Sequence, residues 1–250
     1  MDLSEQPLTP TFLRHPWELA KGRFLINLAQ AFCLDSRPVR VLDAGAGDGW
    51  IGVELLHALP DGSSLISWDV NYRARPAPAE GQRFTATLDG DDRCEVLLAL
   101  DVLEHLEDPR AWLGGLVSGH LVRHGHAIVS VPAWPCLYGN HDRRLQHYCR
   151  FHPATARRLV ESAGLRVLCQ GSLFLSLLPV RLLGRLAERA RPRKGGSVSA
   201  SRLEWRWGRG PQRLAAGVLN ADCRLALAMA RRRVAVPGLS WWALCQKISS

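Results

Sequence analysis

Short apolar runs alternate along this chain with longer stretches of helical spacing. Seven runs have the length of β-strands, at 39–44, 64–70, 83–88, 94–100, 126–132, 165–170 and 239–247. Between them, apolar residues recur three or four positions apart, which predicts helices at 23–32, 50–59, 108–121 and 154–164. The alternation predicts an α/β fold with a doubly wound, mostly parallel sheet of seven strands.

Residues 171–238 interrupt this alternation before the last apolar run. Two segments within them have helical spacing, at 178–194 and 211–233. We therefore predict a core at 1–170, a basic helical insertion or lid at 171–238, and a closing strand of the core at 239–250.

Positive charge is concentrated at the C-terminal end of the chain. The formal net charge is +9, and residues 181–250 alone carry 15 basic and 3 acidic residues, a net of +12. The preceding 180 residues carry 17 basic and 20 acidic residues. A basic region of this kind usually contacts an anionic partner, such as nucleic acid, a phospholipid surface or an acidic substrate.

Cysteine usage and the N-terminus indicate a cytoplasmic protein. The seven cysteines are scattered and include no CxxC pair, which favours a reduced chain over a disulfide or zinc framework. The first residues lack the charged and apolar regions of a signal peptide. No stretch approaches the roughly 18 apolar residues of a membrane span.

A glycine-rich loop follows the first predicted strand, in VRVLDAGAGDGW at 39–50. The glycines at 45–49 have GxGxG spacing, whereas a dinucleotide fingerprint requires GxGxxG. Asp43 and Asp48 lie in this loop region, and residues 41–50 contain no lysine or arginine, which disfavours a pyrophosphate at the helix N-terminus. A cofactor with an ammonium and a sulfonium group fits better. Asp69, at the end of the second strand, can hold both ribose hydroxyls in either cofactor class.

Four stretches together resemble the class I S-adenosylmethionine-dependent methyltransferases. They are VLDAGAGDG (41–49), ALDVLEHLEDP (99–109), VPAWPCLYGNHDRRLQHYCRF (131–151) and VPGLSWWALCQK (236–247). The last two are similar to a bacterial branch of methyltransferase-domain proteins. The resemblance implies a seven-stranded sheet whose last strand is antiparallel, with S-adenosylmethionine as the cofactor.

The resemblance also implies which residues bind this cofactor. They are Asp43, Ala44, Gly45, Gly47, Asp69, Leu88, Asp89 and Asp101. Of these, Asp69 would hold the ribose and Asp101 would lie beside the methyl group. Leu88 and Asp89 would border the adenine.

Histidines are the candidate proton acceptors for methyl transfer to a hydroxyl. Of nine histidines, His105, His141 and His147 follow the carboxyl ends of strands, the side on which ligands bind in this fold. We predict His141 and His105 as the catalytic residues. For His141, a role as base or substrate contact competes with a purely structural role in its loop.

The same segments are similar to the ligand pattern of metal-dependent O-methyltransferases. By this similarity Asp101, Glu104, His105 and His141 could hold Mg²⁺, Mn²⁺ or Zn²⁺. Two departures weigh against a metal. Asp101 is one methylene shorter than the usual glutamate, and metal-free relatives carry the same Leu-Glu-His turn. The sequence therefore disfavours a metal ion and does not decide which residues would bind one.

The basic insertion has two interpretations. Arg181, Arg185 and Arg189 recur every four residues beside an apolar stripe. This pattern fits a packed lid with a solvated arginine face, or a surface helix that contacts anionic lipid or an acidic acceptor. Trp205 and Trp207, which lie between arginines, fit an interface or stacking on a ring. No recognised nucleic-acid-binding motif accompanies the charge, so nucleic acid is disfavoured as a partner.

Together these features predict a cytoplasmic methyltransferase that acts on an oxygen of a small or lipid-linked metabolite. A peripheral contact with the inner face of the membrane, through Arg181, Arg185 and Arg189, is a further expectation. An aromatic natural-product acceptor is one alternative. A non-catalytic cofactor-binding or scaffold protein that retains the fold is another.

Overall fold

The fold is built on one seven-stranded sheet. The computed structural model describes residues 13–32, 37–72, 80–190 and 208–248. The strands are β1 (Arg40–Ala44), β2 (Ser64–Trp68), β3 (Gln82–Thr85), β4 (Cys94–Leu100), β5 (Leu121–Pro132), β6 (Leu165–Leu173) and β7 (Ser240–Lys247). Their order across the sheet is β3-β2-β1-β4-β5-β7-β6.

The direction of the strands confirms the predicted fold class. Strands β1 to β5 pair in parallel, whereas β7 pairs antiparallel with both β5 and β6. In register, Asp43 of β1 lies opposite Ser67 of β2 and Leu98 of β4. The carboxyl ends of these three strands therefore meet at one edge of the sheet, where ligands bind in doubly wound folds.

Helices cover both faces of the sheet. They are α1 (Pro16–Phe32), α2 (Trp50–Leu56), α3 (Pro109–Gly119), α4 (Asn140–Arg144), α5 (Pro153–Ser162), α6 (Leu178–Ala190) and α7 (Arg209–Arg231). One apolar cluster contains residues of α3 and α5, such as Leu113 and Val160. A second contains residues of α1 and α7, such as Leu25 and Leu219. The sheet thus lies between two helical layers, each with its own buried core.

The insertion supplies two helices with different surroundings. Helix α7 buries Leu219, Cys223 and Ala226 in the cluster that it shares with α1. Helix α6 buries none of its residues. Trp205 and Trp207 lie outside the described residues. Among the described residues, no helix has the length and apolar content that a membrane span requires.

Candidate active site

The loop between β1 and α2 requires glycine at several positions. Gly45, Gly47 and Gly49 have φ values of 73°, 57° and 77°, in the left-handed region that strains other residues. A Cβ atom on Gly45 would also lie 2.5 Å from Cγ2 of Val102. The Gly47 N–H donates a hydrogen bond to Asp69 Oδ2 at 3.0 Å. The loop therefore brings the predicted glycines against the predicted ribose carboxylate.

The Asp69 carboxylate can still accept hydrogen bonds from a ligand. Its Oδ2 accepts from Gly47 and its Oδ1 accepts from the Asn71 N–H at 2.9 Å, yet two carboxylate oxygens offer about four acceptor sites. The Asp69 N–H donates to the Thr85 carbonyl at 3.2 Å, so the end of β3 lies beside Asp69. The chain continues from there to Leu88, which packs against the core, and to Asp89, which is exposed. The structure thus places these predicted cofactor residues along one edge of the sheet.

Asp43 is buried at the base of the glycine loop, and the adjacent Ala44 is fully buried. Loss of hydration raises the pKa of Asp43 to about 7, and the neighbouring carboxylates Asp48 and Asp69 add to the shift. Near neutral pH this carboxyl group therefore carries a readily displaced proton. A cationic ligand group placed beside it would favour the ionised form.

This raised pKa predicts that cofactor binding releases a proton. Because Asp43 is largely protonated below a pH of about 7, binding a cationic group there must displace the proton, and affinity should fall as the pH decreases. Calorimetry in two buffers of different protonation enthalpy measures this release. The Asp43→Asn variant should bind with no such release. Equal proton release by both proteins would contradict the assignment to Asp43.

Asp101 forms an ion pair with the buried Lys21, which α1 supplies. The two side chains are in direct contact, and Lys21 is only 2% exposed. Asp101 Oδ1 also accepts from the Ser130 hydroxyl at 3.1 Å. Although burial opposes ionisation, Lys21 holds the pKa of Asp101 below its usual value. The sequence interpretation missed Lys21, because this residue precedes the helix predicted at 23–32 and its partner Asp101 is 80 residues away.

A cavity of about 590 Å³ opens beside Asp101. Side chains of the sheet edge, of α1 and of α6 line it, and its surface is mainly apolar. Its polar lining includes Lys21, Glu104, His105, His141, His147 and Arg181. Both predicted catalytic histidines therefore face the same space as His147.

Glu104, His105 and His147 form a tight cluster at the wall of this cavity. Each offers one ligand atom, and these atoms lie within 4.8 Å of one another. The ring centroids of the two histidines are 4.6 Å apart. Glu104 is 1% exposed, and neither carboxylate oxygen has a hydrogen-bond partner among the described residues. Burial, followed by the nearby Asp101, raises the pKa of Glu104 well above its usual value.

The donor set that fits a metal ion differs from the one indicated by the sequence. Asp101 is engaged by Lys21, and His141 lies outside the cluster. One carboxylate and two imidazoles, from Glu104, His105 and His147, would suit a transition-metal ion. His147 thus takes the place that the sequence interpretation gave to His141.

Asp142 orients His147 from the other side. This aspartate is fully buried, and its Oδ1 lies 3.3 Å from His147 Nδ1 and 2.7 Å from Arg150 Nε. Its Oδ2 accepts from the Gly139 N–H at 2.8 Å and from Arg181 at 2.9 Å. Although burial opposes ionisation, the hydrogen bond with His147 and the charge of Arg150 hold the pKa of Asp142 well below its usual value. An ionised carboxylate at Nδ1 leaves Nε2 of His147 on the side of Glu104, 4.0 Å from its Oε1.

The three arginines of α6 that were predicted to contact an anionic surface have different surroundings. Arg181 points into the protein, where it contacts Asp142 and the Leu137 carbonyl, and Arg185 pairs with Glu188 at 2.7 Å. Both side chains are about 15% exposed or less. Only Arg189, of the three predicted contacts, is exposed. Their four-residue spacing does place Arg181 and Arg185 on one side of the helix. That side faces inward because Arg181 contacts the buried Asp142 and Glu188 accepts from the Asn140 N–H.

Comparison with known proteins agrees with this geometry. Residues 17–170 match the methyltransferase-domain family. An uncharacterized methyltransferase of Mycobacterium ulcerans is 32% identical over 121 residues, which cover 46% of this chain and 42% of that protein. The chain therefore spans less than half the length of this curated relative.

Two solved structures show the same fold at low sequence identity. One is an S-adenosylmethionine-dependent methyltransferase of Archaeoglobus fulgidus, with a TM-score of 0.50, 17% identity and coverage of 92% of this chain and 94% of that one. The other is the plantazolicin methyltransferase BpumL, solved with S-adenosylhomocysteine, with a TM-score of 0.54, 13% identity and coverage of 94% and 85%. The chain belongs to the methyltransferase-domain family and has the fold of class I S-adenosylmethionine-dependent methyltransferases.

Proposed function

We propose that the protein transfers a methyl group from S-adenosylmethionine to a hydroxyl oxygen of a small or lipid-linked acceptor. The observation that carries this proposal is the oriented imidazole of His147 in the cavity beside Asp101. A hydroxyl must lose its proton during methylation, and a positioned histidine is the usual group that accepts it. The apolar lining of the cavity fits the carbon skeleton of the acceptor.

The residues of this chain divide the work between binding and proton transfer. When bound, the cofactor supplies a methyl carbon that its sulfonium already activates, so the protein mainly positions the acceptor. Asp69 and the glycine loop would hold the cofactor. His147 would accept the hydroxyl proton at Nε2, and Asp142 would stabilise the imidazolium from Nδ1. His105 and His141 remain predicted catalytic residues, which would contact the acceptor or take part in the transfer of its proton.

The cavity also supports the alternative of an aromatic acceptor. Phe174 and Trp17 line it and would pack against a planar ring. The scaffold alternative makes a different prediction, since it requires cofactor binding without methyl transfer.

Isotope transfer tests the proposed reaction. The purified protein is incubated with S-adenosylmethionine labelled in its methyl group and with small-molecule and lipid extracts. Mass spectrometry then locates the label. We expect an O-methyl product. Label on nitrogen or carbon would overturn the oxygen assignment, and cofactor binding without any label transfer would favour the scaffold alternative.

Cofactor selectivity gives a separate prediction. The acidic glycine loop and Asp69 should bind S-adenosylmethionine and S-adenosylhomocysteine in preference to NADH. The Asp69→Ala variant should weaken this binding by about 1.5–3 kcal/mol for each charge-assisted hydrogen bond lost. Calorimetry measures both effects, with Asp61→Ala, at an exposed turn, as the matched control. Tight NADH binding with no S-adenosylhomocysteine signal would exclude the methyltransferase assignment.

A further inference from the structure

Helix α6 has its apolar side toward solvent. Leu182, Leu183 and Leu186, which we term the outer face of α6, are 48%, 66% and 52% exposed. The opposite side carries Arg181 and Arg185, which make polar contacts within the protein. A helix on the surface of a globular protein normally has the reverse orientation, with its apolar side inward. The outer face is therefore a contiguous apolar surface of the kind that marks an interaction site.

We propose that the outer face of α6 docks onto a membrane that contains anionic lipid. Charge favours this partner. Residues 181–250 carry a net charge of +12, and although Arg181 and Arg185 are paired within the protein, Arg189 on the same helix is exposed. A second copy of the chain would bring two strongly basic regions together, and their repulsion disfavours self-association. An anionic lipid surface suits both properties, because leucines enter the acyl boundary while arginines meet phosphate groups.

This docking would place the cavity at the membrane surface. Val180, Arg181 and Gly184 of the same helix line the cavity, so α6 separates the outer face from the acceptor space by the thickness of one helix. A lipid-linked acceptor would then need to move only its polar end into the cavity. This last step depends on the proposed function, whereas the docking itself does not.

Vesicle sedimentation tests the docking. The full chain is mixed with vesicles of phosphatidylcholine alone, or of phosphatidylcholine with phosphatidylglycerol. We expect sedimentation with the anionic vesicles only, and less of it as salt rises, because the arginine contribution is screened over about 8 Å at physiological ionic strength. The Leu183→Gln/Leu186→Gln variant should lower the partition coefficient by about tenfold or more, since two leucines no longer leave water.

A matched control distinguishes docking through the outer face of α6 from nonspecific binding by any exposed apolar residues. Leu214 and Val218 of α7 are 74% and 54% exposed, so Leu214→Gln/Val218→Gln removes similar apolar area from another helix. The control should sediment as the parent protein does, and both variants should still bind S-adenosylhomocysteine. Equal loss in both variants, or no sedimentation of the parent protein at low salt, would overturn the proposal.

Two further results would assign the outer face to another occupant and so overturn membrane docking. A concentration-dependent dimer that only the α6 variant abolishes would indicate a second copy of the chain. A lower free energy of unfolding in the α6 variant, without vesicles and without a dimer, would indicate that the protein's own chain covers these leucines. Failure of cofactor binding in the parent protein would instead count against the proposed function.

Discussion

The Asp142→Asn variant is expected to lose about 3–5 kcal/mol of unfolding free energy, because it leaves buried positive charge unpaired. Asp142 is fully buried, and Arg150 and Arg181 both contact its carboxylate. An asparagine of the same shape would keep one acceptor oxygen but would lose the negative charge. Urea denaturation, with the change in midpoint and slope recorded separately, measures the effect.

A surface ion pair provides the control for this prediction. Arg157 and Glu161 are 2.8 Å apart, but their side chains are 49% and 40% exposed. The Glu161→Gln variant should therefore change the unfolding free energy by only about 0–1 kcal/mol. If Asp142→Asn had no larger effect than Glu161→Gln, the buried network would not contribute to stability as argued.

The His147→Gln variant is expected to lower the rate of methyl transfer by about 10²–10⁴-fold, the usual contribution of a positioned proton acceptor. The affinity for S-adenosylhomocysteine should not change, because the glycine loop and Asp69 are untouched. The measurement uses the labelled product identified above, at saturating cofactor. His57→Gln, an exposed change at the end of α2, is the matched control.

Parallel variants decide between the three histidines of the cavity. His141→Gln and His105→Gln test the residues that the sequence indicated. A large loss of rate in His141→Gln, with His147→Gln unaffected, would show that the base is His141 and that Asp142 merely fixes a structural ring. Unfolding curves for each variant exclude loss of the fold as the cause.

The periodicity of the chain predicted the seven strands and most of the helices in their order along the sequence, but not the short helix α4. The apolar run at 94–100 coincides with β4, and the final run forms the antiparallel β7. Helix α1 begins at Pro16, before the predicted start at residue 23. The predicted helix was too short because Glu18 and Lys21 interrupt the apolar pattern, although both side chains are buried. Local patterns detect such charges but cannot show that the partner of Lys21 is Asp101, 80 residues away.

The sequence also indicated which residues lie along the candidate cofactor edge of the sheet, but not the polar network of the cavity. The glycines and Asp69 follow strand ends and Asp43 lies in the last part of β1, so their position depends on the sheet alone. Asp142, by contrast, gathers groups from α6 and from the segment after α4, and no short motif describes this convergence. The spacing of Arg181 and Arg185 gave the side of α6 on which they lie. Whether that side points inward depended on Asp142 and Glu188.

The position of β7 also constrains how the protein can fold during synthesis. This strand lies between β5 and β6, so among the described strands β6 joins the sheet only through β7. A nascent chain that has not yet emerged through Ser240–Lys247 therefore presents an open edge on β5 and leaves β6 unpaired. Unpaired strand edges promote aggregation. Completion of this sheet must therefore wait until these residues leave the ribosome.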